Sequence, residues 1–473
     1  MMDENSYSKD DLFGTLPPEW PVDLRPEIHK MIRASGRKVV VLDDDPTGTQ
    51  TVHSIPVLTE WNRESLEAEL RNDSPVFYIL TNSRSLPISD ARELNAEIGR
   101  NLSDAGKAAG RDYVVVSRSD STLRGHFPGE VESLAEAVGR EYDGWIINPF
   151  FLEGGRYTIG DIHYVEEQGR LVPAGQTEFA RDRVFGYRSS NLREWVEEKT
   201  AGRIRSHEVA SITLKDLRKG GPDRVTQILK ALGRNAPCIV NAASYRDMEV
   251  FVHGLLNAEA EGKRFLYRTA ASFVQVRAGI APRPLLSREQ ISPCTSGGGL
   301  VLVGSYVPRT TSQLEAVLKI PDVVDLEVKV EAILDQGSRD SELGRIAHLV
   351  DGALNSGRDA VVYTSRKLYT TEDPQGNLLL GSRVSDGLIA LLHKVNAKPR
   401  YLLAKGGITA SDVATKGLNV KRAVVLGQIL PGVPVWRLGE ESRIPGLAYI
   451  VFPGNVGNSE AVADVVRLLR ETT

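Results

Sequence analysis

Short apolar runs rich in β-branched residues recur along the chain, end in polar or glycine-bearing loops, and are separated by stretches of helical periodicity. Residues 38–42, 76–80, 113–116, 145–147, 238–240 and 265–267 predict buried strands, and residues 63–70, 89–109, 129–139 and 245–261 predict helices. The rhythm breaks at residues 281–299, where Pro282 and Pro284 precede the glycine run Gly297 to Gly299. It then restarts with runs at 300–305, 360–363, 401–404, 422–426 and 449–452. Alternation of this kind predicts two α/β domains with mostly parallel sheets and an active-site cleft between them. The expected boundaries are 1–280 for the first domain, 281–299 for a linker and 300–473 for the second. Residues 1–30 carry Pro17, Pro18, Pro21 and Pro26 and are expected to be peripheral and irregular. Residues 158–205 form no clean strand-helix unit and read as an inserted flap or a face of the first domain. Within them the tract 179–186 either closes on a small anionic substrate or is surface elaboration.

At 473 residues the chain is long for a single core, which agrees with two domains. A hydrophobic share of 41% and a charged share of 25% describe an ordinary globular protein. The net charge of -4 gives no footprint for nucleic acid, and no run is long and apolar enough for a membrane helix. The first twenty residues show no signal-peptide pattern, and Cys238 with Cys294 are too few for a disulfide scaffold. A cytoplasmic protein without nucleic-acid or membrane partners is expected. Pairing into a homodimer stays open.

In parallel sheets the carboxyl ends of the strands share one edge, where ligands bind. Three loops of the first domain would meet there. Residues 43–50 read Asp-Asp-Asp-Pro-Thr-Gly-Thr-Gln, residues 81–85 contain Arg84, and residues 117–126 contain Arg118, Asp120, Ser121 and Arg124. Three adjacent carboxylates repel one another, so a cation, an arginine or a raised pKa must accompany them. A small hydroxy acid suits such a set. Asp45 or Asp120 would orient or deprotonate its hydroxyl, while Arg84, Arg118 or Arg124 grips its carboxylate. The competing assignments are local: Asp120 as a helix cap, and Arg118 and Arg124 paired with Asp43 or Asp120 in a structural network. A fourth loop after residue 147 brings Gly154, Gly155 and Arg156, of which Arg156 is the favoured anion contact. His163 either donates to substrate or is structural. No histidine or cysteine spacing supports a fixed transition-metal site.

The second domain offers three glycine loops after predicted strands. They contain Gly304 and Ser305; Lys405, Gly406, Gly407 and Thr409; and Gly454, Asn455 and Gly457. Backbone amides freed by glycine make a cradle for phosphates, so nucleotide binding is the economical reading, with Lys405 as a direct phosphate contact or a surface pairing. Neither a Walker loop nor a dinucleotide fingerprint is present. Residues 427–434, starting at Gly427, read as a rigid turn lying against a base or an interface.

An acidic, arginine-rich site and a phosphate cradle are the parts of a small-molecule kinase. The sequence resembles the four-carbon acid sugar kinase family, whose members phosphorylate threonate, erythronate or their oxo relatives with ATP. The family's opening motif Ala-Asp-Asp-Leu-Thr-Gly-Ala is matched by residues 43–49, and its Asp-Ser-Thr-Leu-Arg-Gly motif is intact at residues 120–125. Similarity continues at Ser83 and Arg84, at Gly155 to Thr158 with Gly160 and His163, and at the three glycine loops, in order from about residue 38 to 460. The resemblance implies a sugar acid on the first domain, and ATP with Mg2+ on the second. By it, Asp44 and Asp45 inherit the family's acidic positions and join Asp120 as catalytic candidates. Asp43 and Pro46 depart from the family's alanine and leucine, Arg118 stands near a usual lysine, and Ile408 and Phe452 replace polar or charged residues on the nucleotide side. Two rivals remain: a metal-assisted lyase or isomerase using Asp44, Asp45 and Asp120 around magnesium, and a non-catalytic sugar-acid-binding protein.

Overall fold

The computed structural model describes residues 6–291, 297–304, 308–366, 374–454 and 456–470. Two compact units emerge: Met1–Thr51 with Glu60–Pro282, and Val52–Thr59 with Arg283–Thr473. Both are α/β, with parallel strands predominating.

The first unit is built on seven parallel strands in the order Ala210–Ile212, Ala236–Val240, Gly144–Asn148, Phe265–Thr269, Tyr113–Arg118, Lys38–Asp43 and Val76–Leu80. All six residues of Lys38–Asp43 are buried, as a strand covered on both faces requires. The register sets the functional edge: Asp43 pairs with Leu80 on one side and Arg118 on the other, Arg118 pairs with Thr269, and Thr269 pairs with Asn148. The polar loops after these strands therefore start level with one another.

Helices cover the sheet where apolar spacing predicted them. Ile88–Ala109 buries Ala91, Asn95, Ile98, Leu102 and Ala105 at intervals of three and four, and stops at Gly110, which takes a left-handed φ of 61°. Residues 156–173 form three strands of a separate antiparallel sheet, Arg156–Ile159, Ile162–Glu167 and Arg170–Pro173. Its fourth strand is Tyr7–Ser8. That pairing corrects the expectation of an irregular start. Helices Lys9–Gly14 and Arg25–Ser35 follow, and Pro26 sits in the first turn of the second, where the missing amide costs nothing.

The second unit has eight strands among the described residues, ordered Ile55–Leu58, Arg422–Leu430, Val433–Leu438, Ala448–Phe452, Tyr401–Lys405, Leu300–Val303, Ala360–Thr364 and Val324–Val328. The last five are parallel and the first three antiparallel. Strands Val324–Val328 and Val433–Leu438 carry no run that the sequence reading registered. Residues 427–434 do not form one turn: the strand runs on through Gly427 to Leu430 and turns at Pro431 and Gly432. Val301, Leu403, Ile450 and Val466 lie in the core of this unit. No helix among the described residues is long and apolar enough to cross a membrane.

Candidate active site

Asp43, Asp44 and Asp45 emerge from the buried strand with little water around them, so each needs a partner. Asp45 caps the short turn Pro46–Thr49, its Oδ1 accepting the Thr47 amide at 2.8 Å. Glycine is required at 48, because a Cβ there would fall 2.1 Å from Asp43 Oδ1. Arg118 Nη1, from the neighbouring strand, lies 3.0 Å from Asp43 Oδ1 and 3.7 Å from Asp44 Oδ1.

The loop after Val76–Leu80 turns through Asn82, left-handed at φ 51°, into the turn Ser83–Ser85 and delivers Arg84. Its guanidinium pairs with Asp45 through Nη2 and reaches Asp120 Oδ1 at 3.3 Å through Nη1. In the loop after Tyr113–Arg118, Leu123 is fully buried with φ 70°, a conformation a leucine adopts at a cost. That bend lets Arg124 fold back, placing Nε 2.8 Å from Asp120 Oδ2 and Nη1 3.6 Å from Asp182 Oδ2. Asp120 also accepts the Thr122 hydroxyl.

These pairings divide the aspartates. Burial alone would raise the pKa of Asp45 and Asp120, but Arg84 and the Thr47 contacts outweigh it for Asp45, and Arg124 with Arg84 for Asp120, so both are lowered. Burial dominates for Asp43, whose pKa rises to about 7 despite Arg118. It dominates for Asp44 too, with Arg84 and Arg118 opposing. Asp44 alone of these four has both carboxylate oxygens buried without a hydrogen bond.

Arg118, Arg124 and Arg84, nominated to grip a carboxylate, are engaged by the protein's own aspartates, which is the network considered as the alternative for the first two. Arg156 is different. Its Nη1 donates to the Gly154 carbonyl, while its Nε is buried without an acceptor. Phe179 lies 5.1 Å from the Arg124 guanidinium and 5.6 Å from that of Arg156, so the tract 179–186 does come to these arginines. His163 is fully buried between the Thr158 hydroxyl, 3.0 Å from Nδ1, and the Ser121 carbonyl, 2.8 Å from Nε2. A carbonyl only accepts, so Nε2 carries the proton, and burial lowers the ring's pKa to about 3. His163 thus holds Ser121 from behind.

Two buried residues escaped the sequence reading. Glu130, in the helix Gly129–Val138, has its pKa raised to about 7 by burial and by nearby Asp44. Arg268 is 2% exposed, its Nη2 donating to the Arg124 carbonyl at 3.1 Å. The available signal was a cation at the carboxyl end of the otherwise apolar run Phe265 to Tyr267.

In the second unit the strands Leu300–Val303, Tyr401–Lys405 and Ala448–Phe452 end side by side, because they are neighbours in register, Val303 with Lys405 and Lys405 with Phe452. Gly304 must lack a side chain, since a Cβ would meet Thr409 Oγ1 at 2.4 Å. Gly406, at φ 114°, opens the short helix Gly407–Asp412. The Lys405 ammonium bonds the carbonyls of Pro453 and Gly454, tying two loops together, and burial lowers its pKa to about 7. Gly457, at φ 80°, follows Val456, whose carbonyl accepts from Gln313 at 3.0 Å. Gly427 lies in a strand at a bulge, packed against Leu286, and not in a strand-to-helix loop. Ser305 and Asn455 fall outside the described residues. The backbone around Gly304 and Gly406 is the part of this unit that could hold phosphate groups. No cluster of three or more His, Cys, Asp or Glu side chains suited to a metal occurs among the described residues.

Residues 39–277 match the family model of a sugar-binding N-terminal domain, and residues 300–462 that of a nucleotide-binding C-terminal domain. A D-erythronate kinase of Heliobacterium modesticaldum is 25% identical over 467 residues, spanning 91% of this chain and 97% of the relative. A D-threonate kinase of Cupriavidus necator is 24% identical over 355 residues, 74% of this chain and 77% of the relative. The crystal structure of a Haemophilus influenzae protein, HI1011, shares the fold with a TM-score of 0.61 at 18% identity, covering 91% of this chain and 100% of that one. With both domains matched in order and the motifs at 43–49 and 120–125 assembled on one edge, the chain belongs to the four-carbon acid sugar kinase family, as a divergent member.

Proposed function

We propose that this protein is an ATP-dependent kinase that phosphorylates a hydroxyl of a four-carbon sugar acid, the first unit binding the acid and the second the nucleotide. The observation that carries the reading is Asp44. A carboxylate buried without a hydrogen bond, among arginines and with its pKa raised, is the group to receive a proton from a substrate hydroxyl. As the hydroxyl oxygen bonds to the terminal phosphoryl group, its proton passes to Asp44 and ADP departs. Asp45 and Asp120 hold Arg84 and Arg124 in place, and His163 steadies the 120–125 loop. The relatives named as erythronate and threonate kinases support the substrate class.

Asp45 and Asp120 both belong to arginines, which leaves little of the carboxylate set that a magnesium-assisted lyase would use. The deciding experiment offers threonate, erythronate and 3-oxo-tetronate with ATP and Mg2+ and follows ADP and acid together. ADP release with at least one acid is expected. Acid consumed without ADP would point to a lyase, and acid bound but unchanged to a binding protein.

A further inference from the structure

Three of the arginines at the first-unit edge are already committed. Arg84 pairs with Asp45 and Asp120, Arg118 with Asp43 and Asp44, and Arg124 with Asp120 and Asp182. Arg268 has no such pairing. Among the described residues no carboxylate lies within ion-pair distance of it. One face of its guanidinium packs on Trp195, 5.2 Å from the ring centre. Its Nη2 is used by the Arg124 carbonyl, and its Nε and Nη1 are buried with no acceptor. A guanidinium cannot shed its proton to escape this, so a buried arginine with idle donors is costly unless something else supplies an oxygen.

The same condition holds at Arg156 Nε, and the two arginines converge on one neighbour. Arg268 bonds the backbone of Arg124, and Arg156 shares the Phe179 ring with the Arg124 guanidinium. The next residue, Gly125, lies against Asp44, since a Cβ there would be 3.4 Å from Asp44 Oδ2. One peptide unit, Arg124 to Gly125, thus has at its carbonyl a cation with two unused donors and at its far end a carboxylate that accepts no hydrogen bond. A short molecule bearing both an anionic oxygen and a hydroxyl satisfies both.

We propose that Arg268, together with Arg156, holds the carboxylate of the acid acceptor and sets the enzyme's preference for an acid over its uncharged counterpart. The assignment rests on the kinase reading for the identity of the acid. The arginines of the 120–125 motif and its neighbours then act as the frame that keeps the aspartates in place.

The test compares threonate with its neutral primary amide in the wild-type protein and in Arg268→Gln, measuring kcat and KM for each along with the KM for ATP. The acid-over-amide preference in kcat/KM is expected to fall roughly 10- to 100-fold, as for loss of charge-assisted hydrogen bonds, with the KM for ATP unchanged. A purely structural Arg268 would slow both compounds equally, and an unchanged preference overturns the proposal. Should Arg268→Gln fail to fold by circular dichroism, Arg268→Lys replaces it: an intermediate preference supports the assignment, and a wild-type preference refutes it. Calorimetric titration with threonate alone separates this proposal from the kinase reading. Binding by the wild type that weakens in the variant sustains Arg268 even if no ADP forms, and equal binding by both defeats it even if ADP does.

Discussion

Arg84 reaches Asp120 across the end of an intervening strand, its Nη1 3.3 Å from Asp120 Oδ1. Val76–Leu80 and Tyr113–Arg118 both pair with Lys38–Asp43, one on each side, so this contact arches over the aspartates that end the middle strand. Arg84→Met should strip partly buried Asp45 and Asp120 of a shared cation and destabilise the protein by about 1–3 kcal/mol, read as a lower urea midpoint. A midpoint unchanged from wild type would mean that the arch carries no stability.

Asp44 and Asp45 are adjacent yet should respond in opposite ways to loss of charge. Asp44→Asn removes the proton acceptor and should lower kcat by roughly 100- to 10,000-fold, while thermal stability holds or rises because an unbonded buried carboxylate has gone. Asp45→Asn breaks the Arg84 pair and should cost about 1–3 kcal/mol of stability. Wild-type turnover in Asp44→Asn would exclude it as the base.

His163 gives the fold a pH signature. Burial holds its pKa at about 3 in the fold against 6.5 for an unperturbed imidazole, so the unfolded chain binds the extra proton between those limits. Its contribution is fully present above pH 6.5 and is lost as the pH falls toward 3, by up to about 1.4 kcal/mol per pH unit. His163→Gln should therefore show a flatter decline in unfolding free energy between pH 7 and 5 than wild type. Parallel declines would assign the acid sensitivity to other groups.

Lys405 should matter to the nucleotide and not to the acid. Replacing it by methionine leaves the carbonyls of Pro453 and Gly454 without their donor and frees the loops it joins. ADP affinity should drop roughly tenfold or more, with threonate binding untouched, by calorimetry. Equal ADP affinity would show that the loops hold their form without it.

The strand runs were readable because β-branched, fully buried strands have a pattern that survives without context, and a parallel sheet then brings the loops at 43–50, 81–85 and 117–126 to one edge. Which aspartate is left without a hydrogen bond was not readable. That depends on which arginine reaches it, and Arg118 meets Asp43 across 75 residues of chain. Arg268 went unnoticed because it looks like the last residue of an apolar strand. Gly427 misled because glycine beside proline reads as a turn, whereas here it marks a bulge in a continuing strand. The prolines before residue 27 misled in the same way, since one of them begins a helix.

The Ile55–Leu58 strand belongs with Arg422–Leu430, and Thr59 bonds Val420 across 361 residues. The second unit is thus not a contiguous stretch of the gene product: one of its pieces is translated early, between two portions of its companion. A fragment starting at residue 300 would leave Arg422 to Val425 with a raw edge open to any passing strand, and should clump. Adding a peptide of residues 52–59 would be the remedy, so dissecting this protein calls for splicing, not a single cut.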